Sequence, residues 1–341
     1  MEYQRLGSSG LKVSRIILGC MSYGSSKWAD WVLDEEAALP LFKAAYDAGI
    51  TTWDTADVYS NGESERLVRK AIEKYNIPRN RLVIMSKCFF PISADNIGFS
   101  TLTNACVGRD WANRRGLSRK YIFDAVDASI ERLGTYIDVL QIHRLDPDVP
   151  PEEVMEALND VVRSGKVRYL GASSMWSHEF ATLQFIAQSR GWAKFVSMQN
   201  FYNLLYREEA TRPVVGLIPW SPIARGQLAR PYGGSSLRAN TDGYYKQLFV
   251  DSVDSYEAQV DKEITQRVEK VAKDKGVSMA NVATAWVLSK NCAPILGLNS
   301  VNRITEAVAS LQVKLTEDEV KYLEEAYAPK RVTGIDPQLP E

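Results

Sequence analysis

The sequence predicts an α/β protein: a (β/α)8 TIM barrel forming one domain over residues 1–341, with its core at 3–325 and a tail at 327–341. Three observations lead there. Short aliphatic and β-branched runs alternate with segments of helical periodicity along nearly the whole chain, the pattern of a parallel sheet with helices outside it. Eight such runs can be counted, and eight strand–helix units close into a barrel. Most runs end on a polar or aromatic residue, as strands do where a barrel builds its site at the C-terminal rim. An open doubly wound sheet is the competing architecture. It would bring a G-x-G-x-x-G turn after the first strand, and the sequence has none, nor a G-x-x-x-x-G-K-[ST] loop.

Each element has its own signal. Glu2–Leu6 and Leu11–Val13 flank Gly7-Ser8-Ser9-Gly10 and read as a hairpin ahead of the barrel. Ile16–Gly19 is the first buried strand. Asp34 is placed to cap the next helix, where Ala37, Ala38, Leu41, Phe42, Ala45 and Tyr46 follow at helical spacing until Gly49. The pattern repeats as strand Thr51–Asp54 and helix Glu63–Tyr75, strand Leu82–Ser86 and helix Arg119–Leu133, strand Ile137–Ile142 and helix Pro151–Ser164. Pro150 and Pro151 suit a helix start. Val167–Gly171 and Ser177–Arg190 form the fifth pair, Lys194–Met198 and Gly216–Trp220 the next strands, and Ala293–Leu296 with Val301–Leu311 the last pair. Phe89–Leu117 and Pro222–Ser255 are long loops, which in a compact domain usually carry function or motion. Asp261–Lys275 and Met279–Ser289 are additional C-terminal helices, and Thr316-Glu317-Asp318-Glu319 caps a short terminal one.

Bulk properties exclude several classes. The chain is 45% hydrophobic and 24% charged with a net charge of −1, so neither a polyanion nor a membrane surface is favoured. No apolar run approaches the roughly 18 residues of a membrane span. Cys20, Cys88, Cys106 and Cys292 form no C-x-x-C pair, and isolated thiols with a polar N-terminus suit a reducing, cytoplasmic setting. Oligomeric state, monomer or dimer, stays open.

The strand ends carry the chemistry. Asp54 ends the second strand, with Tyr59 on the loop beyond; Lys87 follows the third and His143 the fourth. A free phenol is a poor acid at neutral pH, and a nearby ammonium lowers its pKa by stabilising the phenolate. A carboxylate would hold that ammonium charged and in place. The result is a tyrosine able to protonate a developing alkoxide, with His143 orienting the carbonyl oxygen. His143 and His178 are the only histidines and no H-E-x-x-H occurs, so no zinc set is offered. Carbonyl reduction without metal needs a hydride source, hence a nicotinamide. Ser173 and Gln199 stand where its carboxamide could be held, and Trp220 and Ser221 follow the seventh strand with an aromatic face for its ring. Taken singly, each residue has a plainer reading: a turn aspartate, a solvated lysine, a structural histidine, a packing tyrosine, a core tryptophan. Their joint placement at one rim favours the functional one. After the eighth strand come Gly297, Asn299 and Arg303, the last in the first turn of a helix and so at an anion site.

At these residues the chain resembles the aldo-keto reductases. The likeness runs from Tyr3 to Leu323 and rests on Trp53-Asp54-Thr55-Ala56-Asp57-Val58-Tyr59, Met85-Ser86-Lys87, Leu140-Gln141-Ile142-His143, Gly171-Ala172-Ser173-Ser174, Met198-Gln199-Asn200 and Pro219-Trp220-Ser221-Pro222. Within the family it is most similar to a fungal branch of aryl-alcohol dehydrogenase-like and versiconal hemiacetal acetate reductase-like proteins. Residues such as Ile17-Leu18-Gly19-Cys20-Met21-Ser22-Tyr23 and Gln199-Asn200-Phe201-Tyr202-Asn203-Leu204-Leu205-Tyr206 carry that likeness. The resemblance implies a catalytic set of Asp54, Tyr59, Lys87 and His143, with Tyr59 the general acid. It implies hydride transfer from NADPH (NADP), held by Ser173, Ser174, Gln199 and Trp220. Further contacts fall at Ser221, Ile223, Arg225 and Gly226, and at Gly297, Asn299, Arg303 and Glu306.

Four departures from the family pattern stand out. Ser174 replaces an asparagine, and Gly297 stands where a lysine is common, which leaves Arg303 as the main cation for a 2′-phosphate. Ala307 replaces the asparagine of a Glu-Asn pair that begins here at Glu306. Between Phe201 and Val215 the chain is too short for a full sixth outer helix. That helix is expected to be a turn or two ended by Pro213, leaving barrel wall near Phe195 and Leu217 poorly covered. Tyr23, Trp28, Trp31, Phe89, Phe90 and Arg144 lie on loops that would line a substrate pocket, and aromatic walls favour aryl or other apolar carbonyls. A cofactor-binding regulatory subunit with little turnover is the alternative of a different class.

Overall fold

A computed structural model of the chain describes residues 1–102, 104, 106–209, 215–235, 237–242 and 255–335. β1 (Tyr3–Arg5) and β2 (Lys12–Ser14) form the expected antiparallel hairpin, pairing Tyr3 with Ser14. Eight parallel strands follow: β3 (Ile17–Gly19), β4 (Thr52–Asp54), β5 (Val83–Cys88), β6 (Ile137–Ile142), β7 (Val167–Ser173), β8 (Phe195–Gln199), β9 (Gly216–Leu217) and β10 (Ile295–Leu296). They run in the order β10-β3-β4-β5-β6-β7-β8-β9. The ring closes where the amides of Ala293 and Ile295 donate to the carbonyls of Leu217 and Pro219, both at 2.9 Å. The fold is the predicted (β/α)8 barrel.

Outside it lie α1 (Glu35–Asp47), α2 (Glu63–Lys74), α3 (Arg119–Leu133), α4 (Pro151–Arg163) and α5 (Ser177–Arg190). A short α6 (Leu237–Thr241) is followed by α7 (Tyr256–Lys275), α8 (Met279–Ser289), α9 (Val301–Ala309) and α10 (Glu317–Glu324). α4 shows why these helices form where they do. Pro151 stands in its first turn with Glu152 and Glu153, Arg163 in its last, and Val154, Met155, Ala157, Leu158 and Val161 make one buried stripe. α10 opens on the expected capping box between Thr316 and Glu319. Asp34 occupies the N-cap of α1 but does not cap it: its carboxylate accepts from the Ser26 amide (2.8 Å) and hydroxyl (2.6 Å) and pins the preceding loop instead.

The hairpin plugs the N-terminal end of the barrel. Leu6 and Val13 are fully buried against Ile17, Met85, Val139, Ile218, Ala293 and Ile295. The fit needs two glycines: a Cβ on Gly216 would lie 2.7 Å from the Gly7 amide nitrogen, and Gly7 has a φ of +59°. The other end stays open, and there the strand ends differ from expectation. β5 runs on through Lys87 and Cys88 because both still pair with β6, at Gln141 and Ile142. β9 stops at Leu217, and beyond it the Trp220 amide donates to the Asn200 carbonyl (2.9 Å).

No helix occurs between β8 and β9 among the described residues; residues 203–206 make a tight turn instead. Pro213, expected to end the short helix, falls outside the described residues. The wall at Phe195 is not bare, contrary to expectation. Phe195 is buried, stacks on Phe180 with ring centroids 5.8 Å apart, and has its amide and carbonyl bonded to the Gln184 side chain of α5. Leu217 is half-buried between two core clusters. The stretch expected to be a tail fills in on the other side. Tyr327 donates to the Glu208 carboxylate (2.5 Å) and accepts from the Arg207 amide (2.8 Å). The Lys330 amide reaches Glu208 (2.8 Å) and the Thr333 amide reaches Tyr206 (3.1 Å).

Candidate active site

β4, β5, β6 and β8 each deliver one side chain to a single buried network. Lys87, with no exposed surface, donates to Asp54 Oδ2 (2.6 Å), to the Thr55 carbonyl (2.9 Å) and to Tyr59 OH (3.2 Å). Asp54 Oδ1 accepts from Gln141 Nε2 and Gln199 Nε2, both at 2.9 Å. Tyr59 comes from the turn after β4, where Ser60 and Asn61 take φ of 49° and 52° and the Asn61 amide gathers the carbonyls of Asn96, Ile97 and Phe99. The turn that aims the phenol therefore also anchors the long loop after β5.

The electrostatics follow from burial and these contacts. Burial works against the Lys87 ammonium, but Asp54 and Tyr59 outweigh it and hold its pKa above the ordinary value. For Tyr59 the balance differs from the sequence expectation. Burial raises its pKa, Lys87 opposes that, and the net direction is up. The phenol thus stays protonated at neutral pH, with the Lys87 ammonium 3.2 Å from its oxygen. His143 is pushed well below its usual pKa by burial, by Lys87 and by Arg144, so its imidazole is neutral. Its Nδ1 has no partner, and its ring lies edge-on to Tyr59 (5.9 Å) and Phe90 (5.1 Å).

These groups stand at the bottom of a cavity of about 560 Å³ that runs past Trp220 to the start of α9. Ser173, Gln199, Ser221, Ile223, Arg225 and Gly226 line it, as do Gly297, Asn299, Arg303 and Glu306. The backbone at Ala224, Arg225 and Gly226 has φ of 47°, 53° and 93°, a left-handed turn of the kind whose amides form an anion nest. With the α9 N-terminus and Arg303, it gives a diphosphate-bearing dinucleotide two places to bind. Three residues are spent otherwise than expected. The Gln199 amide nitrogen is used on Asp54 and on Gln141 Oε1 (2.9 Å), leaving only its oxygen for a ligand. Ser174 lies off the cavity wall and accepts from Trp220 Nε1 (3.1 Å), so it steers the indole and not a carboxamide. One face of Trp220 stacks on Phe201 (4.4 Å) and Arg225 lies over the ring (5.3 Å), so a nicotinamide could stack there only with Arg225 displaced.

Of the expected substrate residues, Trp31, Phe90 and Arg144 line the cavity and three do not. Tyr23 is fully buried and donates to the Leu298 carbonyl. Trp28 is folded under its own loop, which is closed by bonds between Gly24, Leu33 and Ser22, and packs on Trp31. Phe89 is buried off the cavity with its ring edge-on to Phe90, centroids 5.0 Å apart, and it is Phe90 that lines the cavity. Residues not anticipated include Leu102 and Arg238, which line the cavity from the long loops, Gln141, and the buried Glu209. Burial pushes Glu209 up to about 7 although Arg144 opposes it. Its Oε2 accepts from the Phe201 amide (3.2 Å) and its Oε1 lacks a partner. Among the described residues no cluster of His, Cys, Asp and Glu could hold a metal ion, and no helix is long and apolar enough to cross a membrane.

Comparison with known proteins meets this geometry. The model of the aldo/keto reductase family matches residues 15–328. A versiconal hemiacetal acetate reductase of Aspergillus parasiticus is 57% identical over 342 residues, covering 97% of this chain and 98% of that protein. A putative aryl-alcohol dehydrogenase of Saccharomyces cerevisiae is 52% identical, covering 96% and 97%. An aldo-keto reductase of Metarhizium robertsii is 50% identical, covering 98% and 93%. A match over most of the chain, joined to a closed barrel with a lysine–aspartate–tyrosine network at its C-terminal rim, establishes that the protein belongs to the aldo/keto reductase family of oxidoreductases.

Proposed function

We propose that the protein reduces aryl and other apolar aldehydes and ketones to alcohols, with NADPH as hydride donor and Tyr59 as proton donor. The observation that carries this reading is the position of Lys87 Nζ between Asp54 (2.6 Å) and Tyr59 OH (3.2 Å) beside a deep cavity. When bound, the nicotinamide supplies the hydride that attacks the carbonyl carbon. The protein supplies the rest. The Tyr59 hydroxyl, protonated because it is buried, donates to the carbonyl oxygen and gives up its proton as negative charge grows there. Lys87 stabilises the phenolate left behind, and Asp54 keeps Lys87 charged. Neutral His143 fixes the direction of the same oxygen without competing for the proton. Phe90, Leu102 and Trp31 keep water from that oxygen and offer an aromatic substrate its wall.

Arg303 and the α9 N-terminus are the proposed seat of the 2′-phosphate, which supports NADPH over NADH. The complete network favours turnover over the role of a silent cofactor-binding subunit. The test is steady-state NADPH oxidation with 4-nitrobenzaldehyde. Tyr59→Phe should lose about 10²–10⁴-fold in kcat, the usual worth of a positioned acid. A Tyr59→Phe variant as fast as the parent would remove the acid assignment, and a parent without turnover would favour the silent subunit.

A further inference from the structure

Arg144 lines the cavity beside the proposed proton donor, and among the described residues its charge is only partly answered. It is 6% exposed and lines the cavity with Tyr59, His143 and Phe90. Among the described residues its only hydrogen bond runs from Nη1 to the backbone oxygen of His143 (2.6 Å). It lies close enough for its charge to bear on both Tyr59 and His143. The acids around it do not neutralise it fully. Asp54 is taken by Lys87, Gln141 and Gln199. Asp30 is exposed at the cavity's edge, and Glu209 makes no ion pair with Arg144 within 4.0 Å. Arg238, the other cation facing the apolar wall, is paired with Asp242 (3.0 Å) and lies over Trp31 (4.1 Å). Guanidinium N–H groups that line a cavity and have no protein acceptor suit a bidentate anionic ligand.

We infer that Arg144 selects substrates: the cavity takes aromatic carbonyl compounds that also carry a carboxylate, with the ring against Phe90, Leu102 and Trp31 and the carboxylate on Arg144. This rests on the reductase reading for where the carbonyl lies. The apolar wall selects the ring, and Arg144 selects the second, charged group.

The experiment compares 2-, 3- and 4-carboxybenzaldehyde, each against its methyl ester, in the parent, Arg144→Gln and Arg144→Lys. Binding is measured on protein saturated with NADP⁺, where no reduction can run, and kcat/KM is measured separately with NADPH. For at least one isomer the parent should bind the acid about ten- to a hundredfold more tightly than the ester, the range of a charge-assisted bidentate contact. Arg144→Gln should erase that ratio, and Arg144→Lys, which keeps the charge but not the fork, should retain part of it. The ratio is taken within one preparation, so a variant that folds poorly does not distort it. Equal or weaker binding of all three acids by the parent overturns the inference. So does a preference that survives unchanged in Arg144→Gln. A binding preference in a parent that reduces no aldehyde would leave this inference standing and remove the reductase reading.

Discussion

Glu209→Gln should change how stability depends on pH, and in a direction opposite to that of a surface carboxylate. Burial raises the Glu209 carboxyl from its ordinary 4.5 to about 7, against the pull of Arg144. A folded-state pKa above the unfolded one means that the folded protein binds the extra proton. The contribution is complete below the unfolded pKa and is lost as pH rises through the folded one, so the parent weakens from about pH 4.5 to above pH 7. A displacement of that size corresponds to about 3 kcal/mol. Glutamine keeps an acceptor for the Phe201 amide and never ionises, so the variant should exceed the parent by under about 1 kcal/mol at pH 5 and by about 3 kcal/mol at pH 8. Urea unfolding followed by tryptophan fluorescence at the two pH values reads the difference. A gap between the two proteins that is the same at pH 5 and pH 8 would show that Glu209 is not a buried, titrating acid.

Three other outcomes follow from the geometry. Lys87→Met should reduce kcat by about 10²–10⁴-fold, because the ammonium no longer supports the Tyr59 phenolate and Asp54 loses its partner; a change under threefold in the NADPH assay would contradict that role. Arg303→Ala should raise KM for NADPH by about tenfold or more while sparing NADH, and equal losses for both would remove the 2′-phosphate contact. Deleting residues 327–341 should cost about 2–4 kcal/mol by breaking the bonds of Tyr327, Lys330 and Thr333 to residues 206–208. An unchanged urea midpoint would show that the segment is ornamental.

The longer elements were legible in the residues themselves. α3, α5, β6 and α8 begin and end where the sequence puts them: in α3 and α5 a buried stripe agrees with a glycine just past the last turn, while β6 and α8 are apolar runs buried on nearly every side. That Asp54, Tyr59, Lys87 and His143 would meet at one rim was legible through strand-end placement together with the family likeness. The reading failed where a side chain had two possible uses. Ser174 could hold a ligand amide or the Trp220 indole, and only the turn at φ 29° decides. Asp34 could cap a helix or fasten Ser26. Tyr59 could be governed by its lysine or by burial, and burial depends on loops whose course no local pattern reveals. Leu102 and Arg238 come from those same loops. Gln141 was within reach, since strand alternation puts Val139 and Gln141 on one face of β6.

Tyr206, Phe201 and Trp220 form a continuous pile of three rings, with successive centroids 4.4 Å apart. Its outer member is fastened to the Thr333 amide and its inner member borders the cavity. Tension applied at the C-terminus, by an affinity handle or a fused partner, would be transmitted along that pile to the indole. An N-terminal handle would instead sit beyond the hairpin plug, at the opposite pole of the cylinder from the catalytic rim, and leave the cavity untouched.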